Sequence, residues 1–600
     1  MRKQRFRIAM LAFISFMLTI NCATDCRTLV DAAQSESTEE STHFAQLRDA
    51  LTNKILTFEP EELRMLGGSE VAGHLKDWSP RAINEQVALC REGLKQLKVV
   101  EVSNATERLD REVLSAHLTY LEYYYGQYHG ELGNLQISAY PYDVIQYELQ
   151  RFATNKRDVT SARDHFGAIE GILRRLPSHL KQQQSNLTAG LKLRQPDREI
   201  LAVLIKRIGS QDIQDSIRGG LKQIAEDLES PKIQSVLSAS QREVLLHLLQ
   251  TADMAYARHA NFLKTKLMPR AKDSWSLGKD EYKRRFSLVY GDQVVLDQLV
   301  TEAQTELQRV RETMVSLAHE LRPKLSLTQT LEELRKKHAA TEQELLTAYE
   351  QVQKKIDDGM TKRLGLPVGA ARYLSAPLGV SVSPATNWPA PLLSPGPGIV
   401  LVDTSPSGLI DNALVDLSWI AAHEGNPGHA AQSLLFQSAF KEGRTPLCRF
   451  LNVPDEVGYV RGNWYAMANI EGWAFYTERL LLASGLLTSE ERLAALTGQA
   501  LRAARVVADV RMHTGVWSRI DAAAYLERNA GISANAAKGQ AYRYSGIPLQ
   551  AVSYYLGARQ FEELYKTYHA RYGDDFYRQS LSLGPVPPRL IGEYLSSRQN

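Results

Sequence analysis

Cysteine is scarce in this sequence, which has four among 600 residues, and no two of them are spaced as C-x-x-C. That spacing is the usual sign of a thiolate metal site, so the sequence argues against a cysteine-bound metal and against a small disulfide-stapled fold. Two cysteines, Cys90 and Cys448, lie outside the N-terminal segment. They leave two interpretations open: a disulfide, which an exported protein permits, or two separate buried thiols.

Long apolar runs are also missing, except at the N-terminus, where residues 8–20 follow four basic residues. Thirteen residues are too few to cross a bilayer comfortably, which takes about 20, and the pattern is typical of a secretory signal. We predict a signal peptide within residues 1–33, with the cleavage site open, and a periplasmic or cell-envelope protein. An uncleaved membrane anchor and a lipoprotein attached at Cys22 are the alternatives, although Thr-Ile-Asn before Cys22 is a poor lipoprotein signal.

The sequence has little excess charge, with 71 Lys and Arg against 68 Asp and Glu. Residues 1–33 contain five of the basic and two of the acidic residues, so the rest of the chain is neutral. No basic, aromatic-rich patch is present, and we therefore expect no nucleic acid as partner. Apolar residues at 44% and charged residues at 23% indicate a globular protein. Its length exceeds that of a usual single core, which favours two lobes.

Strand-like alternation is rare, and the helical period dominates. We predict a mostly α fold with an N-terminal helical region at 34–364 and a C-terminal helical catalytic region at 412–600. The segment between them, 365–411, is rich in Gly and Pro. These two residue types account for fourteen of the 44 residues from 365 to 408. The run GIVLVDT at 398–404 predicts an edge strand, which could hold an extended peptide. A simple linker is the alternative for this segment.

The zinc-peptidase pattern H-E-x-x-H is absent, but AAHEGNPGHAAQ at 421–432 resembles it. Here His423 and His429 are six residues apart, which on a regular helix leaves them about 120° out of alignment. Pro427 breaks helices, and the glycines around it permit unusual backbone angles. We therefore predict an irregular turn between Gly425 and Gly428 that brings both histidines to one metal, with Glu424 beside it. Two histidines flanking a loop are the alternative.

A third metal ligand is expected from NIEGWAFYTERLLL, where Glu471 and Glu478 are seven residues apart. That spacing places them within about 20° of each other on a helix. We predict Glu471 as the ligand and Glu478 as a carboxylate that orients a ligand. Two solvated charges are the alternative.

Further polar candidates lie towards the C-terminus. One helical stripe contains Arg502, Arg505, Asp509 and His513. We predict Asp509 as a second supporting carboxylate, and His513, Tyr544 and Tyr554 as donors to a developing oxyanion. Arg543 is the candidate for a substrate carboxylate. A solvated helix face and ordinary packing tyrosines are the alternatives.

Four segments in this order resemble the domain of unknown function 885 family of bacterial proteins, which are often exported or lipid-anchored. They are HEGNPGH (423–429), EGWAFYTE (471–478), VADVRMHTG (507–515) and RYSGIPLQAVSYYLG (543–557). The chain departs from the family pattern at Leu549, where glycine is usual, and at Ala430, where a second histidine is frequent. The family is similar to two-lobed helical zinc peptidases of the carboxypeptidase and oligopeptidase type, which implies zinc, a central cleft and peptide hydrolysis.

The combined interpretation is an exported zinc peptidase with one Zn²⁺ per chain, held by His423, His429 and Glu471. Glu424 is expected to be the general base for the zinc-bound water, and a carboxypeptidase activity follows if Arg543 binds a terminal carboxylate. A zinc hydrolase of other amides or esters, or an inactive envelope binding protein, are the rival hypotheses. The oligomeric state is left open.

Overall fold

The computed structural model describes residues 42–598, except 155–158, 212–215, 274, 377–383, 394–397 and 452–460. The predicted signal peptide and Cys22 lie outside the described residues. Among the described helices, none combines the length and apolar character that a membrane crossing requires.

α-Helices make up most of the described chain up to residue 356. Many of them begin at a capping side chain. Ser79 accepts a hydrogen bond from the Ala82 amide at 3.2 Å, and Asn104 accepts one from the Glu107 amide at 2.9 Å. The helices are α1 (His43–Thr57), α2 (Pro60–Met65), α3 (Pro80–Val99), α4 (Ala105–Leu121), α5 (Tyr140–Thr154), α6 (Val159–Gly190), α7 (Arg198–Gly209), α8 (Ile217–Asp227), α9 (Pro231–Gln234), α10 (Ala239–Phe262), α11 (Lys279–Tyr290), α12 (Leu296–Leu321), α13 (Leu327–Arg335) and α14 (Glu342–Ile356).

A small sheet follows, formed by β1 (Tyr373–Ser375), β2 (Ala385–Trp388) and β3 (Ile399–Val402). The strand predicted at 398–404 is present, but it is the central strand and not an edge. It pairs with β1 in parallel and with β2 antiparallel. The cause is visible in its composition: Ile-Val-Leu-Val is apolar at every position and buried throughout, as a strand covered on both faces requires.

Helices resume at Pro406, inside the Gly- and Pro-rich segment predicted at 365–411. The C-terminal helices are α15 (Pro406–Asp411), α16 (Leu417–Glu424), α17 (His429–Lys441), α18 (Met467–Ala483), α19 (Ser489–His513), α20 (Arg519–Ala530), α21 (Ala534–Gly546), α22 (Gln550–Tyr572), α23 (Phe576–Leu581) and α24 (Pro588–Ser597). The mostly α fold with a small β element is thus confirmed.

One hydrophobic core extends from Phe44 to Leu595, so the two helical regions share it. A second cluster joins α14, the sheet and α16, with Tyr349, Val400 and Leu417 among its members. Cys90 and Cys448 are both free and buried, so they are separate thiols.

Candidate metal centre

The HEGNPGH segment forms an irregular turn between two helices. Helix α16 ends at Glu424 and α17 begins at His429. The peptide bond between Asn426 and Pro427 is cis. The turn brings the rings of His423 and His429 to a centroid distance of 4.9 Å, nearly perpendicular at 86°. The interrupted helix that the sequence predicts is therefore confirmed.

Neighbouring side chains satisfy the backbone groups that the turn removes from helical hydrogen bonding. Gln353 at the end of α14 accepts from the Asn426 amide at 3.1 Å and donates to the Asn426 carbonyl at 3.0 Å. The indole of Trp473 donates to the Pro427 carbonyl at 2.9 Å. Because buried backbone groups need partners, these contacts hold the non-helical path in place. Sequence reasoning missed Gln353, which lies 73 residues before its partner.

Glu471 lies against both histidines. Its Oε2 is 3.3 Å from Nε2 of His423 and 3.5 Å from Nε2 of His429. Ligand atoms of all three residues lie within 4.8 Å of one another. Burial opposes ionisation, yet the two imidazoles lower the pKa of Glu471 well below its usual value.

These distances fit a zinc ion. Two ligand atoms at about 2.1 Å from a tetrahedral zinc lie about 3.4 Å from each other. Oε2 of Glu471 is buried and has no hydrogen-bond partner among the described residues. Two nitrogen donors and one oxygen donor form a set that zinc accepts, with one position left for water or substrate.

The other ring nitrogen of His423, Nδ1, contacts Glu478, which lies about two turns after Glu471 on the same side of α18. Nδ1 of His423 is 2.8 Å from Oε1 of Glu478, and Arg502 donates to the same oxygen at 2.9 Å. A carboxylate partner on Nδ1 fixes the ring and directs Nε2 towards Glu471. Although burial opposes the charge, Glu471 and Glu478 raise the pKa of His423 to about 9.

Glu471 is held in turn from α22. The hydroxyl of Tyr554 donates to Oε1 of Glu471 at 2.8 Å, and Gln550 donates to that hydroxyl at 3.1 Å. The two helices approach through Gly472 and Gly557, where a Cβ atom on Gly557 would lie only 1.9 Å from the Ala468 carbonyl oxygen. Glycine at this crossing therefore allows the tyrosine to reach the glutamate.

Glu424 lies beside the cluster, with Oε1 at 4.0 Å from Nε2 of His423. Its Oε2 accepts from the Asn387 amide at 2.7 Å, and the Asn387 side chain donates to the Glu424 carbonyl at 3.1 Å. Burial is the largest effect on Glu424 and raises its pKa above the usual value. Asn387 belongs to β2, an edge strand that sequence reasoning missed because Ala-Thr-Asn-Trp lacks a strand pattern.

Asp509 contacts the turn before α22, and His513 contacts the last turn of α21. Asp509 accepts from Tyr282 at 2.7 Å and from the Leu549 amide at 3.0 Å, and burial raises its pKa to about 7. Nε2 of His513 is 2.9 Å from the Tyr544 carbonyl, and burial lowers its pKa to about 4. Within the described part of the chain, neither side chain forms a hydrogen bond to His423, His429 or Glu471.

The remaining candidates also have defined partners. The Tyr544 hydroxyl donates to Gln540 at 2.8 Å. Arg543 donates to the side chain of Gln550 at 3.3 Å. Of the predicted oxyanion donors, Tyr554 is thus the one that touches a member of the cluster.

Comparison with known proteins identifies the family. A sequence family described as "Bacterial protein of unknown function (DUF885)" matches residues 60–595. The chain belongs to this family. No curated protein matches it.

Two solved structures share the fold. A "putative lipoprotein of unknown function" from Shewanella oneidensis is 17% identical, with a TM-score of 0.68 over 93% of this chain and 100% of its own. A protein described in similar terms, from Colwellia psychrerythraea, is 18% identical, with a TM-score of 0.73 over 93% and 99%. At these identities the likeness shows the fold alone.

Proposed function

We propose that this DUF885 protein is an exported, zinc-dependent peptidase of the cell envelope. The observation that carries the proposal is the convergence of His423, His429 and Glu471, whose ligand atoms lie within 4.8 Å of one another. The description of both structural neighbours as lipoproteins supports an envelope location.

Zinc bound by these residues supplies a Lewis acid that polarises the scissile carbonyl and acidifies water. Glu424 is the proposed general base, which is supported by the position of its carboxylate, 4.0 Å from Nε2 of His423 and held by the Asn387 amide at 2.7 Å. It takes the proton from the attacking water and gives it to the leaving amine. Tyr554 is the candidate donor to the developing oxyanion, a contribution of about 10²–10³-fold in rate, and it would have to turn its single hydroxyl proton from Glu471 to the substrate oxygen to do so.

The sheet edge favours a peptide over other amides and esters. Strand β2 lies at the edge of the sheet and contacts Glu424 through both the amide and the side chain of Asn387. Glu424 already occupies the Asn387 amide, so an extended peptide would add to this edge through the other main-chain groups of β2, with its scissile bond next to the base. In this proposal β2, and not the strand predicted at 398–404, is the edge strand that binds the peptide.

Metal analysis combined with two glutamine variants tests the proposal. Purified protein should contain about one zinc per chain, and His423→Ala or His429→Ala should lose it. Glu424→Gln should retain zinc and lose hydrolysis of a peptide library, whereas Glu471→Gln should weaken zinc binding itself. Glu442→Gln, at an exposed position after α17, is the matched control and should change neither property.

Four results would contradict the proposal. Full zinc occupancy in both histidine variants would remove the metal assignment. Loss of zinc in Glu424→Gln with retention in Glu471→Gln would mean that the two glutamates have exchanged roles. Hydrolysis of esters or non-peptide amides, with no peptide cleaved, would favour the other hydrolase class, and an inactive zinc-loaded protein would favour a binding function.

A further inference from the structure

Arg505 on α19 is a buried cation that no acidic side chain of the described chain neutralises. Its exposed fraction is 3%, and its Nε and Nη1 atoms have no hydrogen-bond partner. It forms no ion pair with any described residue. Arg502, one turn earlier, is equally buried but donates to Glu478 at 2.9 Å. The two arginines therefore differ in charge pairing: Glu478 neutralises Arg502, whereas no acidic side chain of the described residues pairs with Arg505.

A guanidinium in the interior with no opposing acid is unfavourable, because it loses its hydration and gains only the face of the Tyr554 ring in return. Arginine cannot escape this by losing its proton, since its pKa lies above about 12. An apolar side chain of similar length would fill the same space without this penalty. The position of the charge therefore points to a ligand that brings the missing anion.

Arg505 lies one aromatic ring away from the metal ligands. Its guanidinium carbon is 4.2 Å from the ring centre of Tyr554. The His423 imidazole stacks on the same ring at a centroid distance of 6.2 Å and an angle of 16°. The Tyr554 hydroxyl reaches Glu471. An extended chain advances about 3.4 Å per residue, so one or two residues beyond a bond cleaved at the cluster bring a terminal carboxylate near this guanidinium.

We infer that Arg505 binds the C-terminal carboxylate of the substrate, so that the protein releases one or two residues from the C-terminus of peptides. The inference rests on the proposed function and names its substrate class. In the reaction the amide C–N bond breaks, the water oxygen bonds to the acyl carbon and its proton passes to the leaving amine. Arg505 replaces Arg543 in the predicted role, since Arg543 already donates to Gln550.

The test compares N-acetyl-trialanine with its C-terminal amide as substrates of the zinc-loaded protein. We expect kcat/KM to be about 10²-fold higher for the free acid, the usual effect of a charge-assisted hydrogen bond. Arg505→Met should remove this preference by slowing the acid alone, and Arg505→Lys should retain part of it. Arg511→Met, a half-buried arginine of the same helix, is the matched control and should leave the ratio unchanged.

Two further measurements separate substrate binding from a structural role and from failure of the proposed function. Arg505→Met should raise the melting temperature, because it removes an unpaired buried charge; a structural cation would lower it. In the inactive Glu424→Gln protein, the free-acid tripeptide should raise the melting temperature more than the amide does. Adding Arg505→Met to this variant should abolish the difference between the two tripeptides.

Each outcome decides between the two claims. If neither tripeptide is hydrolysed but Glu424→Gln still distinguishes acid from amide through Arg505, the carboxylate site stands and the peptidase proposal fails. If acid and amide are cleaved equally, or Arg505→Met slows both alike and lowers the melting temperature, the inference about Arg505 is wrong.

Discussion

Replacing Gly557 with alanine tests how closely α18 and α22 must pack to form the centre. The added Cβ would lie 1.9 Å from the Ala468 carbonyl oxygen and 2.7 Å from Cα of Gly472. Ordinary contact begins at 3.4 Å, so the helices must separate by about 1.5 Å. Both obstacles are backbone atoms, which no side-chain rotation can move aside.

The expected effect is a net loss of about 2 kcal/mol in the free energy of unfolding. Overpacking of a tight core costs about 1–3 kcal/mol, and a rigid backbone obstacle favours the upper end. The higher helix propensity of alanine returns about 0.5–1 kcal/mol. Gly539→Ala in α21 is the matched control: its Cβ would meet nothing within 4 Å, so this substitution should stabilise by about 0.5–1 kcal/mol.

Urea unfolding of the two variants beside the unchanged protein measures both effects. Gly557→Ala should unfold at a lower urea concentration, and it should also bind zinc more weakly, because Tyr554 moves with α22 away from Glu471. An unchanged unfolding midpoint for Gly557→Ala would refute the tight crossing. Equal destabilisation by Gly539→Ala would show that loss of glycine itself, and not the steric contact, is responsible.

Three other predictions concern single side chains. Glu478→Gln can still accept both hydrogen bonds through Oε1 but loses the charge, so zinc affinity should fall about 10–100-fold in competition with a chelator; a change below about twofold would contradict this role. Because burial raises the pKa of Asp509 from 3.8 to about 7, the folded protein holds a proton that the unfolded chain loses as pH rises. The stability of the protein relative to Asp509→Asn should therefore decrease between pH 4 and 7 by up to about 1.4 kcal/mol per pH unit, and a constant difference in urea unfolding would disprove it. Cys90 and Cys448, buried with raised thiol pKa values, should react with a thiol reagent only after denaturation, whereas reaction in the folded state would contradict their burial.

The features that could be predicted from the sequence are those that depend on residues close together in the chain. Pro427 removes a helical hydrogen bond wherever the rest of the chain lies, so the interruption of the helix could be inferred locally. The seven-residue spacing of Glu471 and Glu478 places both on one stripe of α18, where they contact opposite nitrogens of His423. Helical periodicity was sufficient for this arrangement.

Contacts between distant segments could not be inferred in the same way. Asn387 reaches Glu424 only because β2 lies at the edge of the sheet, and strand order is a property of the fold rather than of one strand's sequence. Arg505 belongs to a stripe that the sequence shows to be polar. The contact of Tyr554 with Arg505, and the lack of an acid beside Arg505 among the described residues, depend on how α22 packs on α19.

The side chains that support the candidate metal cluster are widely separated along the chain. Gln353 precedes the backbone it holds by 73 residues, and Tyr554 follows Glu471 by 83. A growing polypeptide that has reached residue 500 therefore contains all three candidate ligands but lacks the hydroxyl that fixes the glutamate. The contact between Tyr554 and Glu471 can therefore form only after residue 554 has been synthesised. Proteolytic removal of the segment beyond α21 would leave all three candidate ligands in the chain, but it would remove the tyrosine that donates to Glu471 and the helix that packs on α18 at Gly557.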